Sequence, residues 1–265
     1  MNGAELRERM ANGSTVFGTM TMLVRTPRWA ALYGNVGFDY VIVDTEHSPT
    51  GRSEASDLAV AFRGAGVCPI LRVPTTEPHQ TIMGLDAGFD GVLVPYCETA
   101  AEVRTIVGAA RLRPLKGAQH DRARDAGLFP SDESRAYLAE RNKDVVVIIG
   151  IESVTAVENL DAILDVGGID AIFIGPNDLS ISIGVPNQYD HPRFIEVTDH
   201  IIHTAQARGI PAGGHWQTEA DVERWMARGS RFILFYIDAP LLQEGYRRSL
   251  NKFRQTNVGA MEETI

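Results

Sequence analysis

Eight short apolar runs, spread along the chain and separated by helix-like stretches, constrain this sequence more than any other feature. They are Val16–Met20, Tyr40–Val43, Pro69–Val73, Gly91–Val94, Val145–Ile151, Ala171–Ile174, Ile210–Gly214 and Phe232–Tyr236. None alternates apolar with polar residues, so each predicts a strand buried on both faces, as in a parallel sheet covered by helices. Between the runs, apolar residues recur at three-to-four spacing, as in Ala156, Leu160, Ile163, Leu164 and in Val197, Ile201, Ala205. That is the period of an amphipathic helix. Thr99 with Glu102, and Thr155 with Glu158, read as capping boxes that start two of the helices. Eight strands alternating with helices fit a closed (β/α)8 TIM barrel better than an open doubly wound sheet. At 265 residues the chain has the usual length of one such barrel, and residues 1–265 read as a single domain. Residues 111–144 break the rhythm as an insertion between strands four and five, basic and polar at first, then helical from Ser134 to Arg141. Insertions of this length usually serve function or an interface. Residues 256–265 read as a frayed tail.

Charge and cysteine usage exclude some partners. A formal net charge of -9 argues against nucleic acid and against an anionic membrane surface. No apolar leader stands near Met1 and no run is long enough to span a bilayer, which predicts a cytoplasmic protein. Cys68 and Cys97 lie beside strand-like runs with no CxxC spacing. They read as small buried apolar residues, not as a disulfide or a thiolate metal site.

Barrel active sites stand at the C-terminal ends of the strands. Reading past each run yields Asp44, Glu46 and His47, then Arg72, Glu152, Asn177 and Asp178, and His215 with Trp216. Glu152 and Asp178 follow neighbouring strands, which lie about 4.8 Å apart, so two carboxylates can grip one ion. Oxygen ligands favour magnesium, manganese or a similar divalent metal. The structural alternatives are a charge near a helix N-terminus for Glu152 and a helix cap for Asp178. His47 has a side chain suited to moving a proton at neutral pH, its tautomer set by Asp44 or a more distant carboxylate; a plain loop histidine is the alternative. Arg72 ends a buried strand, where a guanidinium either clamps an anionic oxygen or closes an internal salt bridge. His215 and Trp216 are candidates for lining the pocket, or for packing.

The three lysines, Lys116, Lys143 and Lys252, fall at no strand's C-terminal end. A Schiff-base aldolase would lack its nucleophile, and no GxGxxG follows the first strand to hold a nucleotide cofactor.

The segments Val43-Asp44-Thr45-Glu46-His47, Leu71-Arg72-Val73-Pro74, Leu85 to Pro95, Ile151-Glu152-Ser153 and Ile172 to Ser180 resemble the HpcH/HpaI aldolases. These are metal-dependent class II pyruvate aldolases related to citrate lyase β-subunits. The resemblance implies a phosphoenolpyruvate/pyruvate-type barrel that cleaves a 4-hydroxy-2-oxo acid reversibly to pyruvate and an aldehyde, through a metal-stabilised enolate. Such lyases serve aromatic or sugar-acid catabolism. It implies Glu152 and Asp178 as ligands of Mg²⁺ or Mn²⁺, with Co²⁺ a further option. The backbone of Gly175, Pro176, Asn177 and Asp178 would receive the pyruvate carboxylate. Arg72 would hold the oxo or enolate oxygen, and His47 would be the base, with Asp44 and Asp86 tuning it or the aldehyde hydroxyl. A homohexamer, a trimer of dimers exchanging the last helix near Ala239 to Phe253, is also implied. Three positions depart from the family: Gly150 where many members carry glutamine, Met20 in place of an aromatic, and Lys116 to Arg122 in place of an Arg-Gly-rich loop. All three fall on the acceptor side. The competing reactions are CoA-thioester cleavage, for which Arg111, Arg113 and Arg122 are the candidate groove, and oxaloacetate decarboxylation. A non-catalytic relative using the barrel as a binding platform is the third reading.

Overall fold

A computed structural model describes the backbone of residues 1–262 and the side chains of residues 1–255. The first half runs α1 (Gly3–Ala11), β1 (Val16–Thr21), a 3-10 turn (Pro27–Trp29), α2 (Ala30–Val36), β2 (Tyr40–Asp44), α3 (Arg52–Gly64), β3 (Cys68–Arg72), α4 (Pro78–Asp86), β4 (Gly91–Val94) and α5 (Ala100–Arg111). It continues with α6 (Gly117–Ala126), α7 (Asp132–Asn142), β5 (Val146–Ile151), α8 (Val154–Glu158), α9 (Leu160–Leu164), β6 (Ala171–Ile174) and α10 (Pro176–Ser182). The chain closes with α11 (Pro192–Gln206), β7 (Ala212–Trp216), α12 (Glu219–Ala227), β8 (Phe232–Ile237) and α13 (Asp238–Glu262). Every strand pairs in parallel with the next, and β8 closes on β1 as a barrel. The eight apolar runs are the eight strands.

Continuous apolar runs suit this architecture because both strand faces are enclosed. One face packs outward against the helices, as Val41, Val43, Val147 and Ile149 do. The other fills the barrel interior, where Tyr40, Ile42, Ile70, Leu93, Ile148, Phe173 and Phe232 form a second cluster. Tyr40 and Phe232 stack there at 4.7 Å. Gly18 makes the room, since a Cβ on it would stand 2.3 Å from the Tyr40 ring. Leu6 and Met10 of α1 join the same cluster and plug the N-terminal end. α1 covers the bottom of the barrel, and the opposite, C-terminal ends of the strands open into a cavity.

Several local readings change. The strand expected at Ile210–Gly214 lies two residues later, at Ala212–Trp216, so His215 and Trp216 belong to the strand and not to the loop after it. Thr99 and Glu102 do form a capping box. The helix expected to start at Thr155 instead has Ser153 as its cap, whose Oγ accepts the Ala156 N–H at 3.1 Å. The basic start of the insertion folds as α6, and its second helix begins at Asp132. The tail read as frayed from Thr256 is helical backbone to Glu262, and residues 263–265 lie outside the described residues. No helix among the described residues is long and apolar enough to cross a membrane.

Candidate active site

Strand parity decides which side chains reach the mouth. The inward series Tyr40–Ile42–Asp44, Cys68–Ile70–Arg72 and Val146–Ile148–Gly150–Glu152 stay apolar or small until their last member. Polar groups enter only in the top layer.

The register sets Asp44 beside Arg72, and Arg72 Nε donates to Asp44 Oδ1 at 2.6 Å. Asp44 also accepts the backbone N–H groups of Glu46 and His47 at 3.1 and 3.0 Å. This Asx-type turn folds the chain sharply as it leaves β2. It brings Glu46 Oε2 to 3.2 Å from Arg72 Nη1 and 3.6 Å from His47 Nε2. Arg72 and Asp44 are buried, so two carboxylates hold the guanidinium in one orientation. The imidazole of His47 stands at the rim, more than half exposed.

Glu152 is buried, and its Oε2 accepts the Tyr96 N–H at 2.7 Å. Tyr96 holds a left-handed backbone, φ 55°, uncommon outside glycine. Two glycines make space for this arrangement. A Cβ at Gly175 would stand 2.1 Å from Glu152 Oε1, and one at Gly150 would stand 2.9 Å from Pro95 Cα and 3.2 Å from Tyr96 N. The departure at Gly150 thus permits the close approach of the 95–96 backbone. Gly175→Ala should displace the Glu152 carboxylate. We expect kcat/KM to fall about 10- to 100-fold, as when a group that orients a functional side chain is lost, with a modest fall in Tm from the overpacking. Parallel kinetics and thermal melts check this.

Burial pushes the Glu152 pKa up to about 7; the negative charges of Asp178 and Glu46 add to it, while the Tyr96 N–H and Arg72 oppose it. Burial raises Glu46 as well, against Arg72 and His47. Asp44, Glu46, Glu152 and Asp178 together outnumber the one arginine among them, and a divalent cation would relieve that excess. Glu152 and Asp178 face one cavity of about 550 Å³, and their oxygens suit a hard cation. No group of three or more acidic, histidine or cysteine side chains comes within metal-holding reach among the described residues. Substrate and water oxygens would complete the shell.

Of the residues expected at the site, the cavity gathers Met20, His47, Arg72, Glu152, Gly175, Pro176, Asn177, Asp178 and His215. Asp44 stands directly behind Arg72. One expectation is corrected, for Trp216, and Asp86 lies away from the cavity within this chain. Asp86 ends α4, the helix that returns from the mouth toward the start of β4, and its carboxylate accepts from Arg113 Nη1 at 3.2 Å. The carboxylate beside His47 is Glu46. Trp216 turns outward, 3% exposed, and stacks on Trp225 at 5.0 Å. It is core packing, because His215 and Trp216 are successive strand residues and must face opposite ways. His215 takes the inward position. Burial, helped by the positive charge of Arg72, lowers its pKa to about 4, so the ring is neutral.

Met22, Phe173, Asn187, Tyr189, Gln217 and Ile237 also line the cavity, and sequence reasoning assigned them nothing. Gln217 shares the inward parity of His215 and was legible once β7 was placed. Ile237 reaches the cavity through a bulge in β8, where Tyr236 is left-handed at φ 56°. Asn187 and Tyr189 sit on a loop with no motif.

The family model for HpcH/HpaI aldolase/citrate lyase matches residues 22–243. The chain belongs to this family. A 5-keto-4-deoxy-D-glucarate aldolase of Salmonella arizonae is 32% identical over 87% of this chain and 89% of its own length. The crystal structure of an HpcH/HpaI aldolase from Desulfitobacterium hafniense superposes with a TM-score of 0.81 at 29% identity, covering 94% of this chain and 96% of the other. Citrate synthase SbnG superposes equally well, TM-score 0.81 at 27% identity, over 95% and 98% of the two chains. The HpcH/HpaI relationship makes this protein an aldolase-type carbon–carbon lyase.

Proposed function

We propose that the mouth of the barrel cleaves a 4-hydroxy-2-oxo acid to pyruvate, or a close 2-oxo acid, and an aldehyde. The observation that carries this reading is the convergence of Glu152, Asp178 and Arg72 on one cavity of about 550 Å³. Arg72, braced by Asp44 and Glu46, turns toward the 2-oxo oxygen and steadies the negative charge that grows there. The backbone of Gly175 to Asp178, at the start of α10, receives the carboxylate. His47 takes the C4 hydroxyl proton as the C3–C4 bond breaks. The bonding electrons pass to C3 and the oxo oxygen as an enolate, the aldehyde leaves, and protonation of C3 completes pyruvate. A divalent cation (Mg²⁺ or Mn²⁺, Co²⁺ a further option) held by Glu152 and Asp178 would supply Lewis-acid stabilisation of the enolate charge.

The same reading includes a cytoplasmic hexamer that exchanges α13. An apolar series on that helix, Leu241, Tyr246, Leu250 and Phe253, is exposed in the single chain and supports it. CoA-thioester cleavage is less well supported. Arg111 is tied to Asp170 and to the carbonyls of Val145 and Gly168, and Arg113 to Asp86, which engages two of the three arginines of the candidate groove.

Pyruvate incubated in deuterium oxide with the protein should lose its methyl proton signals. EDTA should stop the exchange, and added Mg²⁺ or Mn²⁺ should restore it. Exchange that persists in EDTA and in Glu152→Ala would refute the reading.

A further inference from the structure

His215 projects from β7 into the cavity opposite Arg72, which stands four strands away around the barrel. Its Nε2 is enclosed and has no hydrogen-bond partner among the described residues. Buried polar atoms are almost always partnered within the protein, by water or by a ligand. Here the ring borders the ligand cavity. It cannot serve as a cation, since burial and Arg72 hold it neutral. Gln217, which leaves the same strand with the same parity, is uncharged too. The charged groups Arg72, Glu152 and Asp178 suit the 2-oxo acid, whereas the His215 wall offers neutral donors and acceptors.

We infer that His215 is a specificity-determining residue that hydrogen-bonds an uncharged oxygen substituent, a hydroxyl beyond the reacting carbonyl, on the acceptor aldehyde. The inference rests on the proposed aldol reading and names the class of acceptor, a hydroxyaldehyde. A site built to pair a substrate hydroxyl rejects the analogue that lacks it, because the buried polar group is then left unpaired.

Glycolaldehyde and acetaldehyde differ by that one hydroxyl. With pyruvate as donor, the wild-type protein should prefer glycolaldehyde in kcat/KM by about tenfold or more. His215→Leu should bring the ratio of the two kcat/KM values close to one. His215→Gln, which keeps a neutral hydrogen-bonding end, should retain most of the preference. Using the ratio cancels any general loss of activity or folded fraction. An unchanged preference in His215→Leu, equal losses for both aldehydes, or no preference in the wild type would overturn the assignment. Deuterium exchange into pyruvate by the wild type, measured beside these assays, separates the two proposals. If exchange occurs and the ratio does not move, only the role of His215 fails; if exchange is absent, the aldol reading falls and takes this inference with it.

Discussion

Arg72→Ala is expected to lower kcat/KM by about 10²- to 10³-fold. It removes a preorganised donor from the oxygen where charge develops, an effect worth about 10²–10³ in comparable sites. It also strips Asp44 and Glu46 of the cation that holds them. Asp44 is wholly buried, and removing one partner of a buried ion pair costs about 3–5 kcal/mol. Loss of stability should therefore accompany loss of activity. Arg72→Lys distinguishes the two effects. Lysine returns a positive charge to Asp44 but cannot span Asp44 and Glu46 at once, as Nε and Nη1 do. Most stability should return while kcat/KM stays about 10²-fold down. Steady-state kinetics and urea unfolding of both variants test this, and full activity in Arg72→Lys would sink the bracing argument.

Glu152→Gln should nearly abolish turnover and yet stabilise the metal-free fold above neutral pH. Losing a cation's charge stabilisation is worth several kcal/mol, or about a thousandfold at 1.36 kcal/mol per decade. The stability effect has the opposite sign. Glu152 has a pKa of about 7 in the folded chain against 4.5 for an unperturbed glutamate. The native state thus holds a proton that the unfolded chain releases, and wild-type stability declines as pH rises from 4.5 through 7. Above pH 7 the full cost, about 3 kcal/mol, is present; glutamine carries none of it. In EDTA the variant should match the wild type near pH 4.5 and exceed it by about 3 kcal/mol at pH 8. On the proposed metal site, adding Mg²⁺ should stabilise the wild type and not the variant, which lacks one of the two proposed ligands. Urea melts at the two pH values, with and without the metal, decide the matter.

Part of the site was legible in the one-dimensional pattern for a simple reason. Asp44, Arg72 and Glu152 interrupt or end runs that are otherwise apolar, and a charge at the end of a doubly buried strand is too costly to be incidental. Gly175 to Asp178 follow β6 in the same way. Glu46 and His47 were visible as neighbours of Asp44, but which carboxylate meets the imidazole depends on a turn held by side-chain hydrogen bonds. Where Asp86 stands could not be read from its motif. Within this chain its helix takes it away from the mouth.

His215 and Trp216 are a similar case on one strand. The strand expected to end at Gly214 continues to Trp216, because pairing with β6 and β8 extends it past the last small apolar residue. The shift of two residues converts a pair of loop candidates into one inward imidazole and one outward core ring. Left-handed Tyr96, the hollow under Gly175 and the bulge at Tyr236 are likewise results of strands meeting around a closed barrel.

The order of residues alone determined the eight strands, the barrel and the acidic and basic groups at its mouth, because uniform apolar runs and misplaced charges carry large transfer free energies. Only the tertiary structure decided which side chains face one another there, because strand parity, turn closure and glycine clearances depend on neighbours distant in the chain.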